Sequence, residues 1–377
     1  MNKKEILEIR KQFCPEKCTI TRICGCYVDH EKEKKALIKK AFLSMPEEEA
    51  FKYYDIFKHT LSGTVGKNLL TLGFPTAQEM PGGTQEFLLK LRDTKLKDDV
   101  LIDAFYDKII ESYEYLENYY IILIHAAYDV PGKAGDGMEM FDASDTVYEH
   151  ILMSICPVNL TKAGLTYNAE TNNIEEGARD WFVEMPIQGF LFPAFHDRTG
   201  DIHQILYYSK KPEEIKPAFI TELFGSPVPL TAKDQKVAFN ELIGNAISQS
   251  SVKDNERNLD VVKTVHATLN EWIAEAKESP EPLTLTKPET KRLLTISGVE
   301  ETTLVDFEAD YDSIVGEDKI LIANNIAETK KWVLSTPDVV VKVNPERADL
   351  VETKEIDGRK CLVIPIDEHL EVNGIEI

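Results

Sequence analysis

The sequence predicts an α+β fold: an antiparallel sheet in the middle of the chain with flanking helices, then a C-terminal helical hairpin and a small antiparallel sheet. Three observations carry this. Apolar residues recur at helical spacing in the first part of the chain and again over residues 212–276. Between them, residues 119–209 turn to apolar runs joined by short turns, which places neighbouring strands antiparallel. The tail alternates in period two after a pair of short helices.

Taken in order, Ile6, Ile9 and Phe13 space a helix over residues 3–12 that Pro15 stops. In CTITRICGCYVD, Ile20, Cys24, Cys26 and Val28 share one face at period two, predicting a strand that ends near Asp29. A helix is expected over residues 31–42. Ser44 and Glu47 have capping-box spacing, and Phe51, Tyr54 and Phe57 stripe the helix that follows until Gly63. Residues 84–96 and 98–117 are two more helices, and the unbroken apolar run YYIILIHAAYDV is a buried strand. VYEHILMSICPV, the region around Leu165, PIQGFLFPAF and DIHQILYYS read as strands, the last two joined by a short connection at Asp197-Arg198-Thr199-Gly200.

Helices follow over residues 212–224, closed by Gly225, over 231–246, and over 259–276, where Leu259, Val262, His266, Leu269, Trp272 and Ile273 form a stripe. The stretch SPEP reads as a linker, so the expected domains are 1–278, an α+β unit holding the main sheet, and 279–377. Thr286 and Glu289 open a helix by a capping box and Gly298 ends it; a second, acidic helix completes the hairpin. TPDVVVKV, DLVETKEI, KCLVIPI and LEVNGIEI are strands, with Asp357-Gly358 a hairpin turn.

A chain of 377 residues is long enough to bury a core without disulfide staples, and 43% hydrophobic with 29% charged residues is a globular composition. The formal charge of -22 repels phosphate backbones, which disfavours broad nucleic-acid or anionic-membrane binding. The charged start MNKKEILEIRKQF is unlike a signal peptide and no run approaches a membrane span, so a cytoplasmic protein with reduced thiols is expected.

Chemistry is concentrated in two places. Cys14, Cys18, Cys24 and Cys26 could close a tetrahedral zinc site or form a redox pair, but C-x3-C followed by C-x-C lacks the usual paired C-x2-C geometry, and buried or merely reduced cysteines are the plainer reading. In FHDRTGDIH, His196, Asp197, Asp201 and His203 are the ligand types of zinc, manganese or non-haem iron, although turns collect Asp and Gly for conformational reasons; His125 and His150 would join them if their strands were neighbours. LSGTVGKN lacks the spacing of a phosphate loop, and the acidic residues of the hairpin after Thr286 oppose a DNA-reading helix-turn-helix.

At TITRICGCYVD, LSGTVGKNLL, ILMSICPVNLTKAGLTY, GFLFPAFHDRTGDIHQILYY and TPDVVVKVNPERADLVETKEIDGRKCLVIP the chain resembles the bacterial family called domain of unknown function 4317, over nearly its whole length. That resemblance implies no catalytic residues. The VVVKV strand, Pro-Glu turn and Asp-Gly before LVIPI, with FITELFG upstream, are also similar to nucleoid-associated proteins, which implies association with the bacterial nucleoid.

The leading expectation is thus a non-enzymatic binding or scaffold protein, nucleoid-associated if the tail similarity holds, with a protein partner ahead of nucleic acid, no membrane and no cofactor. The rivals are a hydrolase or nuclease with zinc or another divalent metal on the His196 to His203 hairpin, where a metal-bound water is the nucleophile, and a cysteine-based metal or redox sensor.

Overall fold

The structure, a computed structural model, describes residues 1–133, 139–140, 146–177, 179–249, 255–328, 331–366, 371–372 and 375–376. The chain divides into two units, Met1–Thr231 and Ala232–Ile377. The boundary expected after residue 278 lies inside the second unit, because the helix read as closing the first domain packs on elements that follow it. No helix among the described residues is long and apolar enough to cross a membrane.

In the first unit, helix α1 (Lys3–Arg10) is capped by Asn2 with Glu5 as its reciprocal partner. Strand β1 (Ile20–Val28) turns back into β2 (Lys34–Ala41), then α2 (Glu47–Thr60) leads to β3 (Leu69–Gly73). Helices α3 (Thr84–Asp93) and α4 (Asp99–Ser112), the latter capped by the Asp98 carboxylate, precede β4 (Tyr119–Val130). After the two-residue strands β5 (Gly132–Lys133) and β6 (Glu139–Met140) comes the longest strand, β7 (Thr146–Leu160). Strands β8 (Leu165–Asn168), β9 (Asn173–Glu176), β10 (Trp181–Val183), β11 (Gln188–Phe192), β12 (Ala194–His196), β13 (Thr199–Asp201) and β14 (Gln204–Ser209) follow, then α5 (Pro217–Phe224). Gly225, at φ 63°, ends α5 in the left-handed conformation glycine adopts without strain.

The main sheet has eight strands in the order β2-β1-β4-β7-β11-β14-β3, with β10 added to the far end of β7, and every pairing is antiparallel. Helices α3, α4 and α5 bury one face around Cys24, Cys26, Leu123, Met153 and Phe190. Helices α1 and α2 bury the other around Ile23, Ile122, Leu152, Leu191 and Leu206. Both faces are therefore dry, which is why β4 reads as an unbroken apolar run.

Two local expectations are corrected here. Residues 31–42 do not form a helix; they contain the edge strand β2, whose Lys34 and Lys39 reach Asp103, Asp107 and Asp99 of α4. Ser44 does not cap α2 either, because its hydroxyl donates to the Ala41 carbonyl and Pro46 occupies the cap position. A third difference is finer: a bulge at Thr21 shifts the β1–β4 register between Ile20 and Arg22. Ile20 consequently packs with α1 and α2, opposite the face of Cys24, Cys26 and Val28.

In the second unit, α6 (Ala232–Ser248) and α7 (Asn255–Glu275) precede β15 (Thr284–Leu285), α8 (Lys287–Ile296), α9 (Phe307–Ile314), β16 (Leu321–Ile322) and α10 (Ala323–Ile326). Three antiparallel pairs close it among the described residues, β17 (Trp332–Ser335) with β18 (Val340–Val343), β19 (Glu352–Ile356) with β20 (Arg359–Val363), and β21 (Glu371–Val372) with β22 (Ile375–Glu376). The Glu289 carboxylate accepts from the Thr286 N–H and hydroxyl, each at 2.7 Å, as the capping-box spacing predicts. Asp357 and Gly358 both have positive φ, the backbone of a type I′ turn. The single strand expected over residues 370–377 is instead the pair β21–β22, with residues 370, 373, 374 and 377 outside the described residues.

Candidate functional site

The β12–β13 hairpin turns at Asp197 and Arg198, both at positive φ, and its register sets His196 opposite Thr199 and Ala194 opposite Asp201. The first turn of α1 packs against this tip. Glu5, absent from the sequence candidates, accepts from the Asp197 N–H at 3.1 Å and lies 3.4 Å from His196 Nδ1, while Asp197 approaches Nε2 of the same ring at 3.5 Å. Glu8 accepts from the Tyr128 hydroxyl and pairs with Arg198, whose other amine meets the Pro131 carbonyl.

Of the four predicted ligands, His196 and Asp197 thus come together, within 4.8 Å of each other and of Glu5. Asp201 and His203 do not join them. The Asp201 carboxylate accepts from the His203 N–H at 2.9 Å, and the His203 ring is held at 2.7 Å by Glu79, which raises its pKa. At the tip, the Glu5 and Asp197 carboxylates address different nitrogens of one imidazole, and Glu5 also accepts from Asn2 N–H. That pattern suits a histidine held between two acids better than a chelated ion, which takes one ring nitrogen.

The four cysteines divide between the two faces of the sheet. Cys18 packs with the apolar residues under α1 and α2, and the Cys14 thiol lies 3.5 Å from the Lys11 carbonyl. Cys24 and Cys26 point into the opposite core. A centre using all four sulfurs does not assemble, since the strand itself stands between the pairs. Burial also pushes the Cys24 thiol up and the Cys26 thiol up to about 12, away from the thiolate a metal or redox partner needs.

His125 and His150 are on adjacent strands but opposite faces, because His125 pairs with Ile151 and His150 with Ala126. His150 stacks on Tyr148 with ring centroids 4.4 Å apart, and burial pushes its pKa down to about 3. Tyr148 packs on Phe195 and donates to the Pro193 carbonyl, so His150 lies behind the hairpin rather than at its tip. On the other face, His125 Nδ1 meets Thr21 Oγ1 at 2.7 Å, and Nε2 faces Glu149 at 3.8 Å. Lys95, held in the left-handed region at φ 53°, fixes Glu149 at 2.8 Å. Sequence spacing contained no sign of this contact, because it depends on the bulge.

A group of exposed apolar side chains lies elsewhere. Beyond the sheet, the β7–β10 ladder continues through the pairs Thr161 with Asp180 and Gly164 with Gly177 into β8–β9, making a two-stranded ribbon over 158–177 and 179–183. It exposes Leu165 by 76%, Tyr167 by 61%, Trp181 by 55% and Phe182 by 62%. Trp181 also borders a groove of about 640 Å³ whose walls include Tyr27, His30, Leu116 and Asn159. A two-stranded ribbon with bare aromatic residues is marginal by itself and is the kind of surface that another molecule covers.

These features define the class of protein: an α+β chain with a sheet buried on both faces and an apolar ribbon outside it. The chain belongs to the family described as domain of unknown function DUF4317, whose model matches residues 1–375. No curated protein matches the chain.

Proposed function

We propose that this is a binding or scaffold protein that works through protein contacts, with the ribbon over 158–177 and 179–183 as its contact surface. The observation that carries the reading is the set of exposed apolar residues on this ribbon: Leu165, Tyr167 and Ile174 share one face of β8–β9, and Trp181 and Phe182 stand on the two faces of β10. The rim holds Glu170, Glu175, Glu176, Asp180 and Glu184 against Lys162 and Arg179. A partner strand with apolar residues flanked by basic ones fits, since it extends the ladder and neutralises the rim. Association with a nucleoid, which the tail similarity implies, would on this reading run through such a protein. The lysines of β2, a concentrated basic stretch, support it: Lys34, Lys35, Lys39 and Lys40 all face carboxylates within 4.0 Å and are spent within the fold.

A photoreactive residue at Phe182, in cells that make the protein natively, should give a discrete protein adduct. The same residue at Val100, exposed by 79% on α4, should give none. Equal adducts from both positions, or none at Phe182, would count against the reading. Salt-sensitive retention of the purified protein on DNA would favour direct nucleic-acid contact instead.

A second reading, a divalent-metal hydrolase, rests on the proximity of Glu5, His196 and Asp197 and requires one carboxylate to turn from the imidazole onto the ion, with Glu5 replacing Asp201 and His203 in the ligand set. Zinc titration followed through the His196 ring resonances tests it: unshifted resonances at saturating metal would remove it.

A further inference from the structure

We propose that Thr21 is an acylatable nucleophile, activated by His125 as general base with Glu149 as the group that orients the ring, and that it takes small activated carboxylic esters. The proposal is independent of the ribbon, since it concerns the opposite end of β7 and a different chemistry.

Its geometry begins with the bulge. Thr21 is the extra residue between the register pairs Ile20 with Ala126 and Arg22 with His125. In a regular strand its side chain would follow the pleat; as the bulged residue it is exposed and its hydroxyl reaches the imidazole of the neighbouring strand at 2.7 Å. Nucleophile and base are therefore within hydrogen-bond reach before any substrate is present. His125 itself is 0% exposed, and Nε2 has no hydrogen-bond partner. A buried polar atom left in this way needs an explanation other than packing.

The two ring nitrogens are distinguished by what they face. Glu149 stands 3.8 Å from Nε2, and Lys95 holds that carboxylate in place. A carboxylate on that side favours the tautomer with the proton on Nε2, and the Nδ1 lone pair then shares the Thr21 hydroxyl proton with the His125 carbonyl, which lies 3.2 Å from Oγ1. The charged groups around His125 are Glu149 on β7 together with Arg92, Asp93 and Lys95 at the end of α3, and Arg92 is paired with Asp93 at 2.6 Å. Arg22, the register partner of His125, makes no ion pair among the described residues, and its Nε is buried without a partner. Burial lowers the His125 pKa, so the base form is the resting form at neutral pH.

In the step, Thr21 Oγ1 bonds to the ester carbonyl carbon and its proton passes to His125 Nδ1. The bond from that carbon to the leaving oxygen then breaks, and the leaving alkoxide takes the proton as the alcohol. The product is acyl-Thr21, from which water, deprotonated by the same nitrogen, releases the carboxylic acid and restores the hydroxyl.

The test uses the full chain and p-nitrophenyl acetate, read by nitrophenol release and by peptide mass mapping. Acetyl should accumulate on the peptide holding Thr21, and the rate should rise to a plateau below the ordinary histidine range. Thr21→Val should abolish the labelling, and Thr21→Ser should retain it. Glu149→Gln should slow it about tenfold or more while the melting curve stays unchanged, since general-base catalysis contributes roughly a hundredfold or more. Nitrophenol release that persists in Thr21→Val, or acetyl found only on lysines, overturns the proposal. So would Glu149→Gln leaving the rate and its pH profile unmoved.

Discussion

His150 shows how one side chain couples the core to pH. Its folded pKa of about 3 lies below the ordinary 6.5 because burial opposes the charged form. The folded state therefore takes up its proton later than the unfolded chain does. Its contribution is complete above the ordinary value and is lost as pH falls from there toward 3. Going from pH 7 to pH 5 should cost roughly 2 kcal/mol from this residue alone, at about 1.4 kcal/mol for each unit. Urea unfolding of the wild type and His150→Phe at both pH values checks this, and the variant should show a clearly flatter dependence. Phenylalanine keeps the stacking on Tyr148 and removes the Nε2 atom that has no partner. Among the candidate site residues, His196 and Asp197 were legible because turn chemistry set them side by side. Glu5 was not, since it arrives from a helix near the start of the chain and Asn2 already explains its presence as a cap.

At the scale of elements, β4, β7, β11 and β14 were legible because both faces of the sheet are buried and their runs stay apolar. Strand β2 was not. Its KKALIKKA pattern carries a helix-compatible spacing, and what makes it a strand is non-local: the ladder to β1 and the acids of α4. The ribbon was visible only as a strand near Leu165, because its exposed apolar residues look like core residues until their surroundings are known. Strand β1 offers a test of how closely this sheet is packed. A Cβ on Gly25 would lie 2.0 Å from the Tyr120 hydroxyl and 2.6 Å from its ring, so Tyr120 lies across the glycine. Gly25→Ala should lower unfolding free energy by roughly 1 to 3 kcal/mol, the usual scale of overpacking. In a Tyr120→Val background, measured in the same denaturant series, its cost should shrink, since the two residues are directly coupled.

For the whole molecule, the α+β class followed from periodicity, whereas the edge strands β2 and β3 and the division into units did not. SPEP looks like a linker by composition, but α7 before it packs with α8 and β19 after it, and such contacts leave no mark in local composition. The bulge at Thr21 has the same non-local character. Along a strand each residue advances the side-chain direction by half a cycle, so one inserted residue is a phase slip for everything before it. Here it delivers Ile20 and the approach from α1 to one side of the sheet while Cys24 and Cys26 keep to the other. The side of the sheet that Ile20 enters thus hangs on a single residue of parity. A chain lacking Thr21 would turn Ile20 away from α1 and toward the side that α3, α4 and α5 already fill. Hydrogen exchange of that deletion variant should show α1 and the Glu5 contact with Asp197 lost, while the β4–β7 ladder stays protected.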